Sequence, residues 1–373
     1  MTATGKRTGL PGQVVLVLQG GGALGAYQAG VYEALKDAGI EPDWIIGTSI
    51  GALNGGLIAG NAPAARLERL REFWQSVQQP PFPAGSWSTI FQGLPSFFRP
   101  RIPGWGALGA SVGLDEASFY TTEPLRGTLG RLIDIDLLRE AKTRLTVGAV
   151  AVRSGRMTYF DSNRCALGVD HLMASGALPP AFPAVRIDGE AYWDGGVYSN
   201  TPIEAVFDDM PRRSGVIFSV NVWQPSGDEP RSIWEALGRQ KDIQYASRAD
   251  SHIARQQQLH HLRHVIRELS QQLPAGKRDT PVVRELLAYG CGTTMHVVRL
   301  LAPSLDSEDF YKDIDFSAAG IRMRWEAGHR DASRILQRAP WNDPVDPMQG
   351  VIVHELSARS GAQVRQVRPA PGR

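Results

Sequence analysis

An α/β fold built on a mainly parallel central sheet is predicted by three observations. Two glycine-framed turns, Gly20-Gly21-Gly22-Ala23-Leu24-Gly25 and Gly47-Thr48-Ser49-Ile50-Gly51, stand 27 residues apart. Each follows a short apolar run, at 14–18 and 44–46, and each opens a stretch of helical composition. Strand and helix signals then alternate, the pattern of parallel strands joined by crossover helices.

Taken in order, residues 13–19 read as a strand, 26–38 as a helix, 44–47 as a strand and 49–59 as a helix. A helix at 63–78 follows, with Leu67, Leu70, Phe73, Trp74 and Val77 spaced as a core-facing stripe. From 80 to 113 the prolines 80, 81, 83, 95, 100 and 103 interleave with Phe82, Trp87, Phe91, Phe97, Phe98 and Trp105, so a regular helix is blocked and a long aromatic loop is expected. It reads either as a lid or lipid-facing surface, or as an irregular segment packed on the core. Helical signals at 122–142 precede strands at 145–153 and 156–161, joined by a Ser154-Gly155 turn. A helix at 169–175 leads through a proline-rich stop and a turn at 187–190 to Asp194. Residues 216–223, an apolar run suited to a strand covered on both faces, are expected to be the last strand of the catalytic sheet.

The polar stretch 224–231 reads as a boundary. Beyond it, 232–273 has the signature of one or two long helices, 295–300 of a short strand, and 316–337 of a helix carrying Ile321, Trp325, Ala332 and Leu336 on one face. The expected organisation is a flexible N-terminus (1–12), a catalytic domain (13–225), a mostly helical C-terminal extension (232–356) and a basic, aperiodic, disordered tail (357–373). No internal repeat is evident.

Composition narrows the function. A formal charge of +2 on 373 residues, with 42% hydrophobic and 21% charged side chains, provides no strong field for nucleic acid. No apolar run has the length of a membrane span, and the polar start lacks the core of a secretory signal, so a cytoplasmic or membrane-peripheral protein is expected. Cys165 and Cys291 form no motif and suit a reducing compartment.

The second turn has the Gly-x-Ser-x-Gly form. Such an elbow raises a serine hydroxyl above the end of a sheet, because only glycine tolerates the bend and the close approach of neighbouring backbone. Ser49 is therefore the candidate nucleophile. Together with the Asp194-Gly195-Gly196 turn downstream, the glycine loop and elbow resemble, in kind and in order, the motifs of the patatin-like phospholipases. The run 174–183, Trp193-Asp194-Gly195-Gly196 and Asn200-Thr201-Pro202 resemble that family's approach to its acid, over roughly 13–225. The C-terminal segment also looks like the extension of one bacterial branch.

The resemblance implies a three-layer α/β/α lipid acyl hydrolase or esterase with no cofactor or metal, in which Asp194 acts directly on Ser49 as general base. The glycine loop, Gly20–Gly22 and its neighbours, would donate backbone N–H groups to the oxyanion, helped by the positive end of the following helix. Lipid or another ester would be the partner. In one position the chain departs from the family, many of whose members carry arginine or lysine before the last glycine of the loop. Leu24 stands here, which implies turnover of neutral esters at least as good as that of anionic phospholipids.

Competing readings rest on particular residues. Gly20-x-Gly22-x-x-Gly25 matches a dinucleotide fingerprint, but the second strand ends in Gly47-Thr48-Ser49 where an acidic residue should hold a ribose. An α/β-hydrolase with a catalytic histidine stays open, since seven histidines follow the acid's position. Of these His260, His261 and His264 are read as solvated helix residues, without an acidic third ligand for a metal. A non-catalytic lipid-binding or scaffold protein is the reading from another class.

Overall fold

The structure, a computed structural model, describes residues 9–79, 91–101, 111–246, 249–305, 310–356 and 364–367. Most of the aromatic loop, most of the tail and the first eight residues lie outside this set. Strands are β1 (Gln13–Leu18), β2 (Trp44–Thr48), β3 (Arg99–Pro100), β4 (Tyr120–Thr121), β5 (Arg144–Ala151), β6 (Met157–Asp161), β7 (Val185–Ile187), β8 (Glu190–Asp194), β9 (Gly215–Asn221), β10 (Met295–Leu301), β11 (Val351–Leu356) and β12 (Val364–Val367). All but β3 and β4 form one sheet in the order β12-β11-β10-β9-β1-β2-β5-β8-β7, with β6 also paired to β5. The neighbours from β11 through β5 run parallel, and the antiparallel pairs lie at the two ends.

The two-residue period of β1 makes the three layers visible. Val14, Leu16 and Leu18 face one apolar cluster, shared with helices Ala26–Asp37 and Ile50–Ala59. Val15 and Val17 face another, with Ile203, Phe207 and Ile253. Both faces of the strand are buried, which is why its sequence is uninterrupted Val and Leu rather than alternating with polar residues.

The strand expected to close the sheet does not. β9 lies between β1 and β10, and the C-terminal residues continue the sheet with β10, β11 and β12. Residues 351–356 carry too short an apolar run to distinguish from a buried loop, and only their pairing with β10 makes them a strand. Val364–Val367, within the segment expected to lack order, pairs antiparallel with β11. The C-terminal helix Ala318–Arg338 lies against the helix Ala26–Asp37 at backbone distance. A Cβ on Gly30 would sit 1.9 Å from the Trp325 carbonyl oxygen, and one on Gly328 would sit 2.0 Å from that of Tyr27. Two glycines, 298 positions apart in sequence by number, thus permit one helix crossing.

One further expectation needs correction. His260 and His264 are buried rather than solvated, because residues four apart share a helix face and that face packs on Gly350 and Phe207. Only His261 is exposed, with its Nδ1 3.0 Å from the Met348 carbonyl oxygen. In the described part of the aromatic loop, Phe97 and Phe98 are 8% and 5% exposed and belong to the main core. They interlock with Tyr120, Phe182 and Phe316 at centroid distances of 4.9 to 6.0 Å. At these two rings the packed reading of the loop holds, and both also line the cavity described below. Among the described residues no helix is long and apolar enough to cross a membrane.

Candidate active site

Ser49 caps the helix Ile50–Ala59 directly after β2, with φ 55° and ψ −127°. A non-glycine residue is rare in that conformation and is held there only by its surroundings. The surroundings are specific. The Ser49 N–H donates to Ser175 Oγ at 3.0 Å, and Ser175 in turn donates to the Gly148 carbonyl at 2.7 Å. A Cβ on Gly47 would meet the Gly51 carbonyl at 2.4 Å, and one on Gly51 would meet the Leu18 carbonyl oxygen at 2.3 Å. The elbow glycines therefore permit a chain reversal closer than any side chain allows, and the hydroxyl is left at the positive end of a ten-residue helix.

Asp194, at the end of β8, pairs with Ala149 of β5, which is itself the neighbour of β2. Sheet order thus carries the aspartate back beside the serine across 145 positions. Its side chain is 2% exposed, accepts from the Gly196 N–H at 2.7 Å and has the Ser49 hydroxyl as its other hydrogen-bond partner. Burial pushes its pKa up to about 7, and the bonds from Ser49 and Gly196 offset only part of that rise. A carboxyl poised near neutrality is a far better base than one at its ordinary value of about 3.9.

The glycine loop passes over the same point. Gly20 donates its N–H to the Asn200 carbonyl at 3.1 Å, and Ala23 donates to the Asp313 carbonyl at 2.8 Å. Between them, the N–H groups of Gly21 and Gly22 have no partner among the described residues. Gly22 adopts φ +54°, and a Cβ there would collide with the Asp313 carbonyl oxygen at 2.2 Å. Leu24 points away from this centre. It is 3% exposed and lines a small cavity beside Lys312 and Arg324. Ala23 and Gly25 are buried, the latter with its Cα against Ile50, so the loop and the elbow are packed together.

The sequence reading passed over several groups that hold the loop. Gln19 accepts through Oε1 from the Val222 and Trp223 N–H groups and donates to Thr201 Oγ1 at 2.7 Å. Trp223 Nε1 and Asn200 Nδ2 both donate to the Gly20 carbonyl, at 2.7 and 3.0 Å. Beneath lies a buried relay in which Trp74 donates to Asn54, and Asn54 to Gln28 and to the Gly25 carbonyl. Asn200 and Ser175 stood within stretches already noted, but nothing local marked their partners. Gln19 and Trp223 ended two of the expected strands with nothing to mark their role, and Asp313 carried no signal at all.

Ser49, Asp194 and Gly20–Gly22 open into a single cavity of about 1030 Å³, a volume that includes its mouth. Its lining is mostly apolar and aromatic, including Leu53, Phe97, Phe98, Tyr120, Phe182 and Phe316. Tyr245, whose burial raises its pKa to about 12, and Asn200 add polar groups to the lining. No histidine of the described residues lines the cavity. Nor do any described residues form a cluster of metal-ligating side chains.

The sequence profile of the patatin-like phospholipases matches residues 16–207, half of the chain, and Ser49, Asp194 and the glycine loop lie within it. The chain belongs to the patatin-like phospholipase family. A second profile, described as patatin phospholipase, matches residues 243–348. Among curated patatin-like relatives, the cGAMP-activated phospholipase of Pseudomonas aeruginosa is 32% identical over 209 residues, covering 52% of this chain and 56% of its own length. Lysophospholipase NTE1 of Yarrowia lipolytica is 26% identical over 237 residues, covering 61% of this chain and 14% of its own. The chain thus spans little more than half of one relative and a seventh of the other. VipD from Legionella pneumophila aligns in three dimensions over 91% of this chain and 72% of that one, at 15% identity and a TM-score of 0.39. Family membership displaces the α/β-hydrolase reading.

Proposed function

We propose that this patatin-like protein is a lipid acyl hydrolase that cleaves carboxylic esters with Ser49 as nucleophile and Asp194 as general base. The observation that carries the reading is the meeting of Ser49, on its strained elbow, with a buried carboxyl of pKa about 7 at the head of an apolar cavity. Ser49 Oγ attacks the ester carbonyl carbon while its proton passes to Asp194. The carbonyl oxygen becomes an oxyanion that accepts from the Gly21 and Gly22 N–H groups, each worth on the order of 3 kcal/mol to the transition state. Collapse breaks the ester C–O bond, and the leaving alcohol takes the proton from Asp194. Water, deprotonated by Asp194, then attacks the acyl-serine; the acid is released and Ser49 regains its proton.

The substrate class follows from the cavity. The apolar and aromatic side chains of its lining suit an acyl chain, and Asn200 and Tyr245 offer polar groups to the alcohol moiety. The phospholipase and lysophospholipase names of the relatives support a lipid ester. The test is labelling with a fluorophosphonate together with a hydrolysis screen over phospholipids, lysophospholipids, triacylglycerols and short hydroxyacyl esters. Labelling and turnover should disappear in Ser49→Ala and Asp194→Asn and persist when each histidine is replaced. A protein that neither labels nor turns over any ester would be a lipid-binding scaffold instead.

A further inference from the structure

Two pairs of opposite charges within the C-terminal segment hold the residues that touch the glycine loop. Lys241, on helix Ile233–Ala246, donates to both carboxylate oxygens of Asp313 at 2.9 and 3.0 Å and to the Phe310 carbonyl at 3.3 Å. One residue on, Asp242 accepts from Lys312 at 2.7 Å and from the Gln224 N–H at 3.2 Å. A Lys-Asp step on the helix therefore meets a Lys-Asp step on the segment, crosswise. The four side chains are only 9 to 26% exposed, so water and salt screen the pairs far less than surface pairs.

The segment so held makes the contacts that shape the loop. The Asp313 carbonyl accepts the Ala23 N–H at 2.8 Å and occupies the space where a side chain on Gly22 would be. On the same helix, the Tyr245 carbonyl accepts from the Gln19 and Asn200 side chains at 3.2 and 3.4 Å. A run of glycines has the most backbone freedom to lose, and free N–H donors serve an oxyanion only when fixed to within a fraction of an ångström. We propose that Lys241–Asp313 and Asp242–Lys312 form a two-pronged latch that sets the Asp313 carbonyl against the loop and so positions the Gly21 and Gly22 N–H groups. Lys241 and Lys312 are positioning residues, and the C-terminal segment is part of the hydrolytic apparatus. The inference rests on the hydrolase reading above.

The test uses the full chain, a soluble short-chain nitrophenyl ester and an alkyl boronic acid that forms a tetrahedral adduct with the serine. Lys241→Met should lower kcat by about 10- to 100-fold with KM within about twofold, and weaken the boronic acid by a similar factor. Lys241→Arg should restore most of both. If Lys241→Met melts below the assay temperature, Lys312→Met removes the other prong and carries the same expectation. A kcat within about twofold of wild type in a folded variant overturns the latch, and so does a fall in kcat with boronic-acid affinity unchanged. Absence of Ser49-dependent turnover in the wild-type protein would instead overturn the hydrolase reading.

Discussion

At the scale of the residue, Asp194 makes the clearest demand on solution behaviour. If it serves as base it must be ionised, so kcat/KM should rise with pH and level off above an acid-limb pKa near 7. A limb near 4 would mean that the carboxyl is solvated in the working enzyme. Stability should move the other way. The folded-state pKa lies above the unfolded value, so the folded protein binds the proton more tightly. Its contribution is greatest below about pH 4 and is lost as pH rises through about 7. Asp194→Asn, which cannot ionise, should therefore raise the unfolding free energy above pH 7, by up to about 4 kcal/mol, and with it the melting temperature, and change both little near pH 4. Thermal melts at the two pH values check the sign.

Leu24 corrects an expectation at the same scale. Its side chain faces the C-terminal layer rather than the reacting centre, so its lack of charge does not bear on how a phosphate is met. Leu24→Arg should not shift preference toward anionic lipids. It would bury a third cation beside Lys312 and Arg324, both under 10% exposed, and should cost several kcal/mol, on the order of 3–5. A variant that melts like wild type and gains selectively on anionic phospholipid vesicles would return Leu24 to the substrate side.

At the scale of the element, the helix pair Ala26–Asp37 and Ala318–Arg338 ties the two ends of the chain together. Its closeness depends on Gly30 and Gly328, where a Cβ would fall within 2 Å of the opposite backbone. Backbone cannot yield as a long side chain can, so Gly328→Val should separate the helices and lower the melting temperature by several degrees or more, with larger effect than Gly328→Ala. Gly127→Ala and Gly130→Ala, at helix positions open to solvent, are the controls and should leave the melt unchanged or slightly raised. Equal melts for Gly328→Val and wild type would show that the helices are not packed there.

At the scale of the whole molecule, the sheet does not stop where composition suggests a boundary. Cutting the chain after residue 231 would expose the edge of β9, now paired along its length with β10, and uncover the apolar face of helix Ala26–Asp37. An unpaired edge strand that is buried along its whole length in the intact protein invites aggregation. The truncated protein should therefore be insoluble or lack Ser49-dependent labelling, whereas a cut after residue 356 should remain folded. A soluble, active 1–231 fragment would make the C-terminal segment an independent attachment and remove the ground for the latch.

Much was legible in the chain because it is enforced locally. The elbow, the glycine loop and the Asp194 turn are short backbone geometries that few residues can adopt, and the strands of the parallel core are apolar runs needing no partner to be recognised. Ser49 could be singled out for that reason, and Asp194 through the family resemblance that the three motifs carry together. What only the tertiary structure decided depends on contacts between residues far apart. The burial that lifts the Asp194 carboxyl to about 7, the capture of the Gly20 N–H by Asn200 and the seating of Gly22 on Asp313 have no trace in neighbouring residues. The same holds for β11, a strand only because β10 lies beside it, and for Leu24, whose direction depends on what packs behind the loop. Motifs record the backbone's local limits, whereas electrostatics and packing depend on three-dimensional surroundings that a one-dimensional pattern does not hold.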